Sequence, residues 1–245
     1  MAFARALLII VFLISSYTII SSEKLQAQNN QRAQIGFTAG LNSTSHLKNF
    51  RFASDDIVLD FSPNTSTGYQ FGLILRQPVS NNFRIQAEPS LIQLGAQYEQ
   101  PFMVRGFQFE TDSKTELFYF QLPLLIQLTT SPPERVIFGR QRPETTYHLS
   151  GGVFGSYLLH GEFSGINRGA PIGIEFEGAF SNSVTDQYQM FDGGILIGAG
   201  LEHGHISKFG FEARFIFSVF SSGNAPEINF LPQNLGGTFS VYYLF

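Results

Sequence analysis

The sequence predicts an all-β fold, eight antiparallel strands closed into a barrel that turns its apolar side outward. Three observations carry that reading. Apolar and polar residues alternate with a period of two in eight separate stretches. The polar faces of those stretches are rich in glycine and almost free of lysine. The chain also stops on an aromatic strand, "GGTFSVYYLF", with Phe239, Val241, Tyr243 and Phe245 on one face and no polar tail. A soluble domain more often ends in a frayed polar segment.

Composition narrows the function classes. Of 245 residues, 43% are hydrophobic and 14% charged, against a usual charged share of roughly a quarter. Aromatics reach 15%, with 27 Phe and no Trp. A formal net charge of −4 offers no basic footprint, so no nucleic-acid partner is expected. With no Cys, disulfides, thiolate metal sites, thiol catalysis and a lipidated N-terminal Cys are excluded.

The first segment, residues 1–27, reads as a signal peptide. Arg5 precedes an apolar run from Ala6 to Ile20, and a short polar stretch leads to Ala27. The run is interrupted by Ser15, Ser16 and Thr18, and is shorter than the ~20 apolar residues of a spanning helix. Residues 28–245 are then the barrel domain.

The strands follow in order. The first sets Ile35, Phe37, Ala39 and Leu41 against Gly36, Thr38, Gly40 and Asn42. The second sets Tyr69, Phe71, Leu73 and Leu75 against Gln70, Gly72, Ile74 and Arg76. The third places Phe83, Ile85, Ala87 and Leu91 opposite Arg84, Gln86, Glu88 and Ser90. The fourth runs from Phe118 through Phe120, Leu122, Leu124 and Ile126 to Leu128, with Tyr119, Gln121 and Gln127 behind. The fifth carries Tyr147, Leu149, Val153, Tyr157 and Leu159. The sixth sets Phe191, Ile195, Ile197, Ala199 and Leu201 against Asp192, Gly194, Gly198, Gly200 and Glu202. The seventh sets Phe209, Phe211, Ala213, Phe215, Phe217 and Val219 against Gly210, Glu212, Arg214 and Ser218. The aromatic terminus is the eighth.

The polar faces decide which side meets water. A soluble sandwich or lipocalin-like barrel would show lysine there in quantity. These faces instead carry Gly36, Gly40, Gly72, Gly194, Gly198 and Gly200, plus a few charges of both signs: Arg76, Arg84, Glu88, Glu202, Glu212 and Arg214. Small residues and self-neutralising charges suit a narrow lumen, so the expectation is a transmembrane β-barrel of outer-membrane type. Long and short connections alternate, which places both termini in the periplasm. The exception is the segment from Thr129 to Glu144, about sixteen residues where a short turn belongs. Within that frame Phe239, Val241, Tyr243 and Phe245 form an assembly signal for the outer-membrane assembly machinery, and the eighth strand pairs with the first to remove both edges.

The segments "LFYFQLPLLIQL", "TYHLSGGVFGSYLL", "MFDGGILIGAGLE" and "FGFEARFIFSVFS" resemble, in order, the PorT-like outer-membrane proteins of Bacteroidetes. The matching positions are Tyr119, Pro123, Leu125, Gly151, Gly152, Asp192, Gly194 and Arg214. The resemblance covers roughly Gln34 to Phe245. It implies an eight-stranded barrel in outer-membrane lipid and a role as an accessory of type IX secretion or gliding, with secretion-system or envelope proteins as partners.

Catalytic and metal chemistry find little support. His148 and Ser150 are similar to the His-x-Ser pair of outer-membrane lipid A deacylases. Alternation turns both inward, though, whereas a lipid-cleaving serine must face lipid beside its base. His203 and His205, with Glu202, lie too close together in a turn for a convincing metal site, and no cofactor is expected. An eight-stranded barrel is just wide enough to be filled by side chains. The expected function is therefore a non-enzymatic envelope scaffold or secretion accessory with a plugged lumen. The alternatives are a narrow channel and a lipid-modifying enzyme.

Overall fold

The computed structural model describes residues 33–47, 49–54, 57–104, 107–130, 136–137, 140–141, 144–170, 173–204, 207–220 and 233–245. The strands are β1 (Gln34–His46), β2 (Phe50–Ser54), β3 (Ile57–Phe61), β4 (Pro63–Ser80), β5 (Phe83–Ala87), β6 (Ser90–Val104) and β7 (Phe107–Thr129). They continue with β8 (Val136–Ile137), β9 (Arg140–Gln141), β10 (Glu144–Gly169), β11 (Phe176–Ser183), β12 (Phe191–Gly204), β13 (Lys208–Ser218) and β14 (Asn234–Leu244). The expected signal peptide, 1–27, lies outside the described residues.

Eight staves close into one antiparallel barrel. Around it run β1, β4, the β5–β6 stave, β7, β10, β12, β13 and β14, and β14 returns to β1. The closing seam pairs Gly36 with Leu244 and continues in register to His46 with Asn234. The Phe245 amide donates to the Ile35 carbonyl at 2.9 Å, so even the last residue is tied to the first strand. Between β5 and β6 the ladder is interrupted at Glu88–Pro89, since proline has no amide to donate. The gap is bridged, because Leu73 N–H donates to Pro89 O and Glu88 N–H donates to Pro123 O. Closure satisfies the backbone without water, the condition for any sheet that crosses lipid.

The alternation sorts residues as the sequence predicts. Phe37 is 56% exposed, Leu41 71%, Leu149 63% and Ile197 61%, while Arg76, Gln86, Tyr119 and Gln127 are buried in the lumen. Such a pattern, apolar outside and charged inside, inverts that of a soluble protein. Aromatic residues cluster on the outer wall where the termini meet. The Phe37 and Phe245 rings stand edge-on at 5.6 Å, Tyr243 and Phe245 at 5.2 Å, and Phe209 and Phe211 at 4.9 Å.

Three features depart from the sequence reading. The long segment from Gly161 to Gln189 is largely strand: β10 continues to Gly169, and β11 returns along it from Ser183 opposite Glu162 to Phe176 opposite Gly169. A β-bulge between Leu158 and His160 hides this extension. It shifts the inward parity from even (Phe154, Ser156, Leu158) to odd (Gly161, Phe163), so a fixed period of two loses the strand there. The connection after β1 contains the β2–β3 hairpin, and the long Thr129–Glu144 connection holds the short β8–β9 pair. Finally, the lumen is not polar throughout. Ile92, Leu94, Leu117, Leu125, Phe154, Leu158, Leu196 and Ile216 pack together inside it.

The outward face yields the first test. Arg in place of Ile197 or Phe215 should cost about 2–4 kcal/mol in barrels folded into lipid vesicles, as expected for a cation on the lipid face near mid-membrane. Ile197→Leu should unfold in urea near the wild-type midpoint. Equal midpoints for the Arg and Leu variants would refute the inside-out assignment.

Candidate functional site

The lumen's charges form two clusters joined by one glutamine. The first is centred on Glu202 of β12, toward the rim that carries the termini. Arg76 of β4 and Arg84 of β5 donate to its two oxygens at 2.6 and 2.7 Å. Lys208 Nζ, at the start of β13, reaches it at 2.7 Å. The Thr146 and Tyr242 hydroxyls add hydrogen bonds at 3.1 and 3.3 Å. The Arg76 guanidinium also lies 5.4 Å from the centroid of the Tyr242 ring. These partners come from four strands besides Glu202's own and β14, so one carboxylate ties together much of the barrel's circumference.

The second cluster crosses the lumen. Arg214 of β13 presents both Nη atoms to the Glu88 carboxylate and donates from Nη2 to Glu212 at 2.6 Å. Ser150 donates to Glu212, and His148 Nε2 lies 3.6 Å from that carboxylate. Gln86 links the clusters, accepting from Arg76 Nε and donating to Glu88. Three arginines thus meet three carboxylates, all deeply buried, while Lys208 sits nearer the rim. An isolated charge in such surroundings costs several kcal/mol, which balanced, multiply hydrogen-bonded pairing offsets.

Small residues on the wall make room for this network. A Cβ on Gly200 would stand 2.6 Å from His148 Cε1 and 2.7 Å from Nε2, so the imidazole lies directly over that glycine. Gly210 is similarly roofed by the Tyr242 ring.

Beyond the charges come the apolar layer and a turn buried at the far end. Asp192 accepts from the Ser218 hydroxyl at 2.7 Å and from Asn234 at 3.2 Å. Val184 and Tyr188, flanking a 3-10 turn at Thr185–Gln187, are buried against Leu117 and Tyr119's cluster. Gly161 holds the turn, donating its amide to Thr185 Oγ1 at 3.0 Å and accepting from the Val184 amide at 2.9 Å. His46 lies beyond the last apolar outward residue of β1, with its Nδ1 2.6 Å from the Tyr98 hydroxyl. Burial lowers its pKa to about 4, which keeps the ring neutral. Among the described residues, side chains from opposite walls meet in the lumen from the Glu202 cluster through the Arg214–Glu88 bridge to the apolar layer.

A family comparison agrees with this architecture. Residues 26–223 match the model of the outer membrane protein beta-barrel domain, over most of the chain. The chain belongs to that family. Solved structures similar to it include Ail, the attachment invasion locus protein of Yersinia pestis, at 13% identity and a TM-score of 0.36, covering 87% of this chain and 99% of that one. OprG, an outer membrane protein of Pseudomonas aeruginosa, is similar at 12% identity and a TM-score of 0.40, covering 89% and 98%. No curated protein matches.

For this outer-membrane barrel, the structure brings together all six sequence-predicted lumen charges: Arg76, Arg84 and Glu202 in one cluster, Glu88, Glu212 and Arg214 in the other. Phe239, Val241, Tyr243 and Phe245 all point outward along the seam strand. His148 and Ser150 face the lumen as alternation requires, both turned to Glu212. His203 Nδ1 lies 2.9 Å from Thr145 Oγ1, and His205 falls outside the described residues. Among the described residues no group of three His, Cys, Asp or Glu could hold a metal. Sequence reasoning missed the roles of Lys208 and Tyr242. Lys208 precedes the seventh strand as the sequence predicts it, yet its parity with Gly210 and Glu212 marks the inward face. Tyr242 shares the inward parity of Thr238 and Ser240.

Breaking the cross-lumen bridge tests its weight. Glu88→Ala and Arg214→Ala should each destabilise the folded barrel by about 3–5 kcal/mol, because each strands a buried charge. Removing both should cost less than the sum of the single changes, a shortfall read from urea midpoints in vesicles as a double-mutant cycle. Strict additivity would mean the two side chains act independently.

Proposed function

We propose that this protein is a non-enzymatic envelope scaffold, an accessory of protein secretion in the outer membrane of a Gram-negative bacterium, with both termini in the periplasm. The single observation that carries this reading is the side-chain network that spans the lumen. A cross-barrel ion network, an apolar layer and a turn buried at the far end leave the barrel's surfaces, not its interior, as the part available for work. The PorT-like order of features points to type IX secretion or gliding as the pathway, with secretion-system or envelope proteins as partners. Two observations support a non-enzymatic role. The Ser150 hydroxyl is committed to Glu212 rather than to His148, and it faces a packed interior, away from any lipid ester. The outward ladder from Phe239 to Phe245 serves as the signal read by the assembly machinery, and it anchors the terminal rim.

Planar-bilayer recording tests the plugged lumen. Wild-type protein should be electrically silent, whereas the Glu88→Ala/Arg214→Ala double variant should show small conductance events. A steady wild-type conductance would favour a narrow channel.

Deleting Phe245, or replacing it with Ser, should leave export intact but lower the yield of barrel in outer-membrane fractions. Wild-type insertion with a normal heat-dependent gel shift would remove the terminal residue from the assembly signal.

A further inference from the structure

The barrel's far end carries an unfinished sheet. Above the bulge at Leu158/His160, β10 pairs with β7 on one side and with β11 on the other, and among the described residues nothing else pairs with β11. The Val184 amide donates to Gly161 O, which sets the phase of the β10–β11 ladder. Residues two apart from Val184 (Asn182, Phe180, Gly178, Phe176) therefore bond to β10, and the intervening Glu177, Ala179 and Ser181 turn their amides and carbonyls to the open side. This strand, "FEGAFSNS", is almost wholly exposed. It has one charged residue and neither lysine nor proline, the usual means of blunting an edge.

The edge begins beside a recess of about 550 Å³ at the tip of the same sheet. Its walls include Phe109, Glu110, Arg168, Glu175, Phe176 and Glu177. Arg168 meets Glu177 at 3.4 Å, with both side chains more than half exposed, so the lining carries three glutamates against one arginine, together with two phenylalanines. The surface thus combines a row of main-chain donors and acceptors with an acidic, aromatic-walled pocket at one end.

We propose that β11 is a docking edge for an extended, basic segment of a partner protein, which adds as a further strand and seats a lysine or arginine in the recess. Main-chain pairing along Glu177, Ala179 and Ser181 supplies the affinity, and the recess supplies the register and the charge preference. The aromatic lining favours a cation through its attraction to the rings. This extends the scaffold reading by naming the chemistry of the partner. Its test is independent of that reading, because electrical silence is expected whether or not a strand docks.

The probe is a fluorescent eight-residue peptide of alternating valine and threonine with two lysines at one end, titrated by anisotropy against the full barrel in detergent micelles. Binding should be saturable and should weaken as salt rises. The same peptide N-methylated at alternate amides should bind at least about tenfold more weakly, because main-chain bonds dominate this mode. A counterpart with glutamates in place of the lysines should also lose affinity. Ala179→Pro removes an amide from the open edge without touching the β10 ladder and should abolish binding, and Ser181→Pro should do the same. The N-methyl comparison needs no protein variant, so it stands even if a proline variant folds poorly by gel shift. Undiminished binding of the N-methylated or glutamate peptide, or no binding of the lysine peptide, overturns the proposal.

Discussion

The bridge between Arg214 and the Glu88 carboxylate is the contact on which the rest of the interior depends. It joins opposite walls of the barrel, and Glu88 is also where the β5–β6 stave breaks before Pro89. Glu88 reaches inward on the parity it shares with Arg84 and Gln86, and the guanidinium meets it from the opposite wall. Gln86 passes the arrangement on to Arg76, and Arg76 to Glu202. Each member is buried, so each relies on the others for the solvation that water would otherwise supply.

That dependence explains the glycines on the inner wall. A lumen of eight strands has little room, and its side chains must lie close against the backbone to meet. Gly200 beneath His148 and Gly210 beneath Tyr242 provide the floor for them. Small wall residues and large lumen side chains are two parts of one packing solution.

The two ends of the molecule differ in kind. The terminal rim is a closed ring of backbone pairs with an aromatic outer wall, where Phe245 is held by both its amide and its ring. The far end rises beyond the barrel as an open sheet, in which only part of the hydrogen-bonding capacity is used. The open edge of β11 lies beyond the closed ladder of the barrel.

Alternation by itself determined the eight staves, their inward and outward faces, and the six charges of the lumen, because strand geometry places every second side chain on the same face. It could not pair those charges. That Glu202 meets Arg76 and Arg84, while Arg214 spans to Glu88, depends on the stagger of the closed ladder, which no local period encodes. The bulge at Leu158/His160 was likewise illegible, since one extra residue reverses the parity on which the reading rests. Leu125, Leu196 and Ile216 look like lipid-facing residues by type; their parity with Gln127, Gly198 and Arg214 turns them inward, but only the closed barrel brings them from separate strands into one internal layer. Face is a local property of a strand, but partnership across a lumen is a property of the closed barrel.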